Sequence, residues 1–232
     1  MEYLLKGLWD AVWLVISLDP DMMQIIMMSL QVSGIAVLLA GVLGVSAGTY
    51  LGLRPLNRVR LLTKLVYTFM GFPPVVAGLV VLLILSAQGP LGYLQLLFTP
   101  GAMIIVQTVL AFPIITGLTM MGIREKDSEV RDTVLSLGAS GLQLAWTVIR
   151  EARYAIMGAL VAGFGRVVAE VGAVMLVGGN IHGYTQVMTT AIVQETRQGN
   201  FEFAIGLGLV LMMIAFIFNS IFYRLQSGVG RY

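Results

Sequence analysis

The 232-residue chain is 58% hydrophobic and 11% charged, with a mean hydropathy of +0.90. Soluble domains carry about a quarter charged residues, so this composition marks a polytopic helical membrane protein. Its long apolar runs argue against a β-barrel, whose strands alternate. The absence of Cys excludes disulfides, thiolate metal sites and cysteine nucleophiles, and a net charge of +2 gives no bulk attraction to nucleic acid.

In chain order, the first element is amphipathic. Leu5, Leu8, Trp9, Val12, Trp13 and Ile16 follow a helical spacing, with Glu2, Lys6 and Asp10 away from them. This run is short for a span and is expected to be an interfacial helix over residues 1–20. A signal peptide is the rival reading, but the start is acidic and Asp19-Pro20-Asp21 follows. Five apolar stretches then reach the length of about 20 residues that spanning needs. They are Met22–Leu53, Leu65–Ala87, Gly101–Gly122, Tyr154–Gly178 and Phe203–Tyr223. In the first, Ala40, Gly44, Gly48 and Gly52 recur every four residues, a small-residue stripe that lets another helix approach. Pro73-Pro74 and Pro113 in the second and third remove backbone donors and are expected to bend or break the helix.

The connecting segments alternate in charge. Arg54, Arg58, Arg60 and Lys64 follow the first span, and residues 89–100 carry no charge. Arg124, Lys126, Arg131, Arg150 and Arg153 follow the third, Arg197 is the only basic residue after the fourth, and Arg224 and Arg231 follow the fifth. The positive-inside rule then predicts an outer N-terminus and a cytoplasmic C-terminus. The expected organisation is an interfacial helix (1–20), a transmembrane domain (22–224) with a cytoplasmic segment at 124–153, and a cytoplasmic tail (225–232).

That cytoplasmic segment reads as two short helices around a corner. Asp127 to Leu137 can form one helix, with Val130, Val134 and Leu137 on one side. Gly138 suits a left-handed helix end and Ser140 the N-cap of the next helix, whose apolar stripe is Leu142, Ala145, Trp146 and Ile149. The segment resembles the "EAA" loop of ABC-importer permeases. Asp132-Thr133-Val134 stands in the Glu-Ala-Ala place, Leu137-Gly138-Ala139-Ser140 matches the centre, and Trp146 takes the aromatic place. Arg150-Glu151 replaces the usual Leu-Pro, which leaves the second helix free to run on into the fourth span. The Pro-Pro-x-Val-x-Gly run from Pro73 and the Gly-Asn-Ile-x-Gly-x-Thr-Gln stretch from Gly179 resemble molybdate- and sulfate-type permeases. Arg150–Ile156 and Glu170–Ile181 are most similar to tungstate importer permeases.

The resemblance implies an all-α permease subunit of type I ABC-importer architecture in a prokaryotic cytoplasmic membrane. Its partners would be a second copy of itself, cytoplasmic ABC ATPase subunits that take the corner, an extracytoplasmic oxyanion-binding protein, and membrane lipid. The cargo would be tungstate, with molybdate or another oxyanion as the alternative. ATP and Mg would bind the partner ATPase, because this chain has no Gly-x-x-x-x-Gly-Lys-Ser/Thr loop and no cofactor motif of its own. An ion-coupled secondary transporter is the rival class, but no internal repeat is evident. An embedded enzyme would need a metal or nucleophile set, and the lone His182 has no spaced partner.

Two candidate pathway regions remain. Arg166 and Glu170 lie four residues apart in the fourth span, a spacing that puts both on one face of a continuous helix. Either they line the oxyanion route or they clamp helices together. Gly179 and Asn180, with Thr185 and Gln186, either line an outer entrance or form a helix-ending turn.

Overall fold

The computed structural model describes Trp13, Ile16, Ser17 and residues 19–227. Nearly all of the expected interfacial helix and residues 228–232 of the expected tail lie outside the described residues. Every regular element among the described residues is helical: α1 (Pro20–Leu53), α2 (Leu56–Met70), α3 (Pro74–Leu85), α4 (Pro100–Ser136), α5 (Gly141–Glu151), α6 (Arg153–Val168), α7 (Gly172–Gly178), α8 (Met188–Gln198) and α9 (Phe201–Ser227), with a 3-10 turn at Gly92–Leu94. Helices α1, α4 and α9 are each long and apolar enough to cross a membrane. Counting α2–α3 and α6–α7 as broken spans brings the total among the described residues to five.

Five expectations need correction. The second span begins earlier than expected: α2 starts at Leu56 within the basic segment, and the chain breaks at 71–73. There Pro73 and Pro74 lack the N–H groups that would continue the ladder, so the expected break occurs. Pro113, by contrast, sits inside α4 without ending it. Helix α4 also continues through Ile123-Arg124-Glu125-Lys126, which holds no Gly or Pro, so the expected separate helix at 127–137 is, as far as Ser136, the last quarter of α4. The fourth span is interrupted at 169–171. Helix α5 does not run unbroken into α6, because Ala152 forms a one-residue turn (φ −80°, ψ 2°). Finally, the expected loop after the fourth span contains α8.

The chain divides into two compact units. The first comprises Met1–Ala36, Pro73–Gln107 and Val167–Asn219. Asp19 opens α1 by accepting from the Met22 amide at 3.0 Å, with Pro20 in the first helical position, where no donor is lost. Met22 and Ile25 of α1 pack with Met188 and Ala191 of α8 and Leu207 and Val210 of α9. The Ser29 hydroxyl accepts from the Met188 amide at 2.6 Å and so satisfies a free N–H at the start of α8. Helices α3 and α7 lie at backbone contact: a Cβ on Gly78 would sit 2.8 Å from Ala173 Cα.

The second unit comprises Val37–Phe72, Thr108–Arg166 and Ser220–Tyr232. Its organising contact is the small-residue stripe. A Cβ on Gly44 would meet Ile115 at 3.0 Å, one on Gly48 the Thr116 carbonyl oxygen at 2.6 Å, and one on Gly52 Ile123 at 2.6 Å. Both sets of numbers rise together, so α1 and α4 run in the same direction. Two parallel spans require one return crossing between them, which is the broken pair α2–α3. Val59 and Thr63 of α2 lie against Met120, and Gly117 faces Val66 and Met70, so α2 runs antiparallel to α4. Helix α6 is antiparallel as well, with Gly122 against Ala155 and Gly163 against Ile115.

Added volume at Gly48 must move backbone, not a flexible side chain. Overpacking of this kind costs about 1–3 kcal/mol. Gly48→Ala is therefore expected to lower the melting temperature of the purified protein, and Gly48→Leu to abolish recovery of folded material. Gly34→Ala, where a Cβ meets nothing within 4 Å, is the control and should melt no lower than wild type, since Ala favours a helix interior over Gly. Equal thermal stability of Gly48→Leu and wild type would place the stripe against lipid instead.

Candidate functional site: a capped corner and a broken span

The corner is built by two helix-end devices in sequence. Helix α4 ends at Ser136, and Gly138 takes the left-handed conformation (φ +82°). The Gly138 amide donates to the Leu135 carbonyl at 3.0 Å and the Ala139 amide to the Val134 carbonyl at 3.3 Å. These two bonds form a Schellman motif. Ser140 then caps α5 in a full capping box: its hydroxyl accepts from the Gln143 amide, and the Gln143 side chain accepts from the Ser140 amide at 2.7 Å. The caps account for the turn between two helices within four residues.

Helix α5 has two apolar faces with different fates. Leu144 and Val148 are buried with Ile123 and Ala152 and pack against Val130, Val134 and Ile149. This seats α5 on the end of α4. The other stripe is solvent-facing: Leu142 is 84% exposed, Trp146 69%, and Leu137 at the turn 82%. Sequence spacing identified Leu142 and Trp146 as apolar partners but not that they point outward, and it missed Leu144 and Val148. Asp132 and Ser140 are exposed, and Ala139 is half-buried. The result is a rigid, apolar-tipped knob.

The second region is the break between α6 and α7. Arg166 and Glu170 do not share one continuous helix, because α6 ends at Val168. Each charge lies at a helix end. Arg166 lies in the last turn of α6, where a cation is favoured. The Glu170 carboxylate, buried, accepts from the Ala173 amide at 3.1 Å in the first turn of α7. Two carbonyls at the break are also satisfied. Val167 accepts from the Glu170 amide at 3.1 Å and from Gln107 Nε2 at 3.1 Å, and Glu170 accepts from the Thr189 hydroxyl at 2.8 Å. Sequence reasoning missed Gln107 and Thr189. A polar pair inside an apolar run, as in Ile105-Val106-Gln107-Thr108-Val109, was the available signal for Gln107.

The third region follows α7. Gly179 (φ +73°) and Asn180 (φ +49°) turn the chain. Thr185, 1% exposed, accepts from the Ile181 amide at 2.9 Å and donates to the Gly178 carbonyl at 2.6 Å. Its hydroxyl is engaged in closing the turn. Around it runs a side-chain chain: Asn180 Nδ2 and Gln186 Nε2 both donate to Gln194 Oε1, and Gln186 Oε1 lies 3.0 Å from His182 Nδ1. With Gln186 Oε1 as acceptor, His182 carries its proton on Nδ1. Gln194, at the hub, was absent from the sequence-based candidates.

Residues 22–231 match the family described as "Binding-protein-dependent transport system inner membrane component". The chain belongs to this family. The match covers every span and the corner, so the protein is a membrane-spanning ABC permease subunit of the type I all-α class. It is 42% identical over 227 residues to the "Tungstate uptake system permease protein TupB" of Peptoclostridium acidaminophilum, covering 98% of this chain and 100% of that one. It is 37% identical over 226 residues to the protein of the same name from Campylobacter jejuni, covering 97% and 95%. It is 28% identical over 220 residues to the "Sulfate transport system permease protein CysW" of Escherichia coli, covering 90% and 76%.

The break at 169–171 should depend on Gln107 and Thr189. Stranding a buried carbonyl costs about 1–3 kcal/mol. Thr189→Val, which strands the Glu170 carbonyl, is expected to lower the melting temperature of the detergent-solubilised permease, and Gln107→Leu, which leaves the Val167 carbonyl its bond from the Glu170 amide, to lower it less, whereas Thr196→Val, whose hydroxyl only reaches back to Ile192 on an exposed helix face, should not. If both buried variants melt with wild type, other groups hold the break.

Proposed function

We propose that this permease carries an oxyanion, tungstate first, into the cell as one half of a two-copy pathway. Two ATPase chains bind its corners, and an extracytoplasmic binding protein delivers the anion. The observation that carries the cargo is near-full-length likeness at 42% and 37% identity to permeases named for tungstate, against 28% to one named for sulfate. ATP and Mg are used in the partner chain. In this orientation the N-terminus is outside and the C-terminus cytoplasmic. The parallel run of α1 and α4 supports it, because both helices then deliver their basic segments, Arg54–Lys64 and Arg124–Arg153, to one face. On this reading Gly179 and Asn180 lie at the outer entrance, and Arg166 and Glu170 lie at a break within the route.

Cells carrying the gene are expected to accumulate tungsten from trace tungstate and to lose that accumulation on deletion, measured by elemental analysis. Molybdenum accumulation in its place would make molybdate the cargo. In the same assay Arg166→Gln tests the route: reduced uptake by a permease assembled at wild-type level is the expected result. Wild-type uptake would take Arg166 out of the route.

The corner makes its own prediction. Leu137, Leu142 and Trp146 are exposed, so truncating them leaves the permease fold intact. A buried aromatic anchor at an interface is worth about 2 kcal/mol or more, or roughly 30-fold in affinity. Trp146→Ala with Leu142→Ser is expected to retain wild-type thermal stability yet lose the co-purifying ATPase. Gly138→Val should act differently, costing about 1–2 kcal/mol through its positive φ alone, since no neighbour obstructs a Cβ there. ATPase retained at wild-type level by the double variant would remove the knob from the coupling role.

A further inference from the structure

A groove of about 640 Å³ opens among α1, α2 and α4, wholly within the second unit. Its walls include Leu43 and Tyr50 of α1, Leu62 and Phe69 of α2, and Phe112 and Pro113 of α4. From Leu43 to Leu51 along α1 it runs about 12 Å, at about 1.5 Å per residue. Half of a hydrocarbon core of about 30 Å is about 15 Å. The groove therefore has the depth of one leaflet, and it lies on helices of a membrane-embedded subunit.

One end of the groove is basic. Arg54 follows Tyr50 by one helical turn, and its guanidinium lies 5.1 Å from the Tyr50 ring centre. Arg58 precedes Leu62 by one turn on the α2 wall, so it continues the same stripe. Both arginines are exposed. Two of the three walls thus change from apolar side chain to guanidinium at the same end. An apolar trough one leaflet deep, closed by two cations, complements an acyl chain attached to an anionic headgroup.

We propose that this groove is a binding site for an anionic phospholipid, with one acyl chain between Tyr50, Leu62 and Phe112 and the phosphate held by Arg54 and Arg58. None of Gly44, Gly48 and Gly52 lines the groove, so the lipid would fill space beside the α1–α4 contact without entering it. Neither the cargo reading nor the ATPase coupling requires such a site.

The test uses the full transporter in nanodiscs made from equal parts phosphatidylglycerol and phosphatidylcholine, followed by delipidation and native mass spectrometry. Wild type is expected to retain phosphatidylglycerol. The variant Arg54→Gln with Arg58→Gln should retain about 30-fold less, the equivalent of about 1 kcal/mol per arginine at a membrane surface. Ala47→Phe, which fills the trough while keeping both arginines, should lose the lipid as well. A photo-crosslinking residue at Leu65 in otherwise wild-type protein gives a readout independent of those variants: the expected adduct has the mass of phosphatidylglycerol. Equal retention of both lipids overturns the site. So does a Leu65 crosslink to a second permease copy, which would make the groove a subunit interface.

Discussion

Inside a bilayer there is no water to receive a backbone group that a helix lets go. A helix can break there only where other protein atoms take over its hydrogen bonds. The interruption at 169–171 obeys this constraint, and the surrounding structure follows from it. Gln107 from α4 and Thr189 from α8 reach the carbonyls of Val167 and Glu170, and Glu170 turns its carboxylate onto the next helix. Those bonds fix where α4 and α8 pass. The close seat of α7 on α3, with Gly78 against Ala173, keeps the short half-helix in place without a long apolar ladder of its own. A seven-residue helix has too few internal bonds to stand alone.

The two breaks in the spans differ in how visible they are. At 71–73 the cause is local: Gly71 and Pro73-Pro74 cannot continue an α-helix, and the sequence says so. At 169–171 the residues are Ala169, Glu170 and Val171, all acceptable inside a helix. The interruption there depends on partners 60 and 19 residues away in sequence. A one-dimensional reading therefore ran the helix through and placed Arg166 and Glu170 on a common face. The corner at 136–141 was legible for the reason the first break was: a left-handed Gly and an N-capping Ser act on their own neighbours. The glycine stripe was legible too, because small residues every fourth position imply close approach whatever the partner. Its partner, α4, was not. The basic first half of α2 and the whole of α8 were hidden by a different effect. Hydropathy detects what crosses a membrane, and a basic or polar helix reads as loop.

Helix α5 shows how one element can serve stability and exposure at once. Leu144 and Val148 seat it, and the cap bonds at Gly138 and Ser140 set its angle, so the outward stripe of Leu142 and Trp146 contributes nothing visible to the subunit's own fold. Exposed apolar side chains on a rigid support are the usual form of an interaction surface. The exposure of these residues is thus a stronger argument than their spacing, since spacing alone fits burial equally well.

The polar network beyond α7 sets a limit on how tightly any anion can be held there. Asn180 and Gln186 already donate to Gln194, Gln186 already faces His182, and Thr185 already bridges Ile181 and Gly178. An oxyanion that recruits the Thr185 hydroxyl, or the engaged N–H of Asn180 or Gln186, must first break a bond the protein makes to itself, and only the second N–H of each amide is spared that cost. Its gain is the difference between a charge-assisted bond and a neutral one, not the whole of either. A route lined this way would admit an anion and let it go, which is what passage requires. Strong discrimination among similar oxyanions would then have to come from a component that can hold its ligand tightly before release.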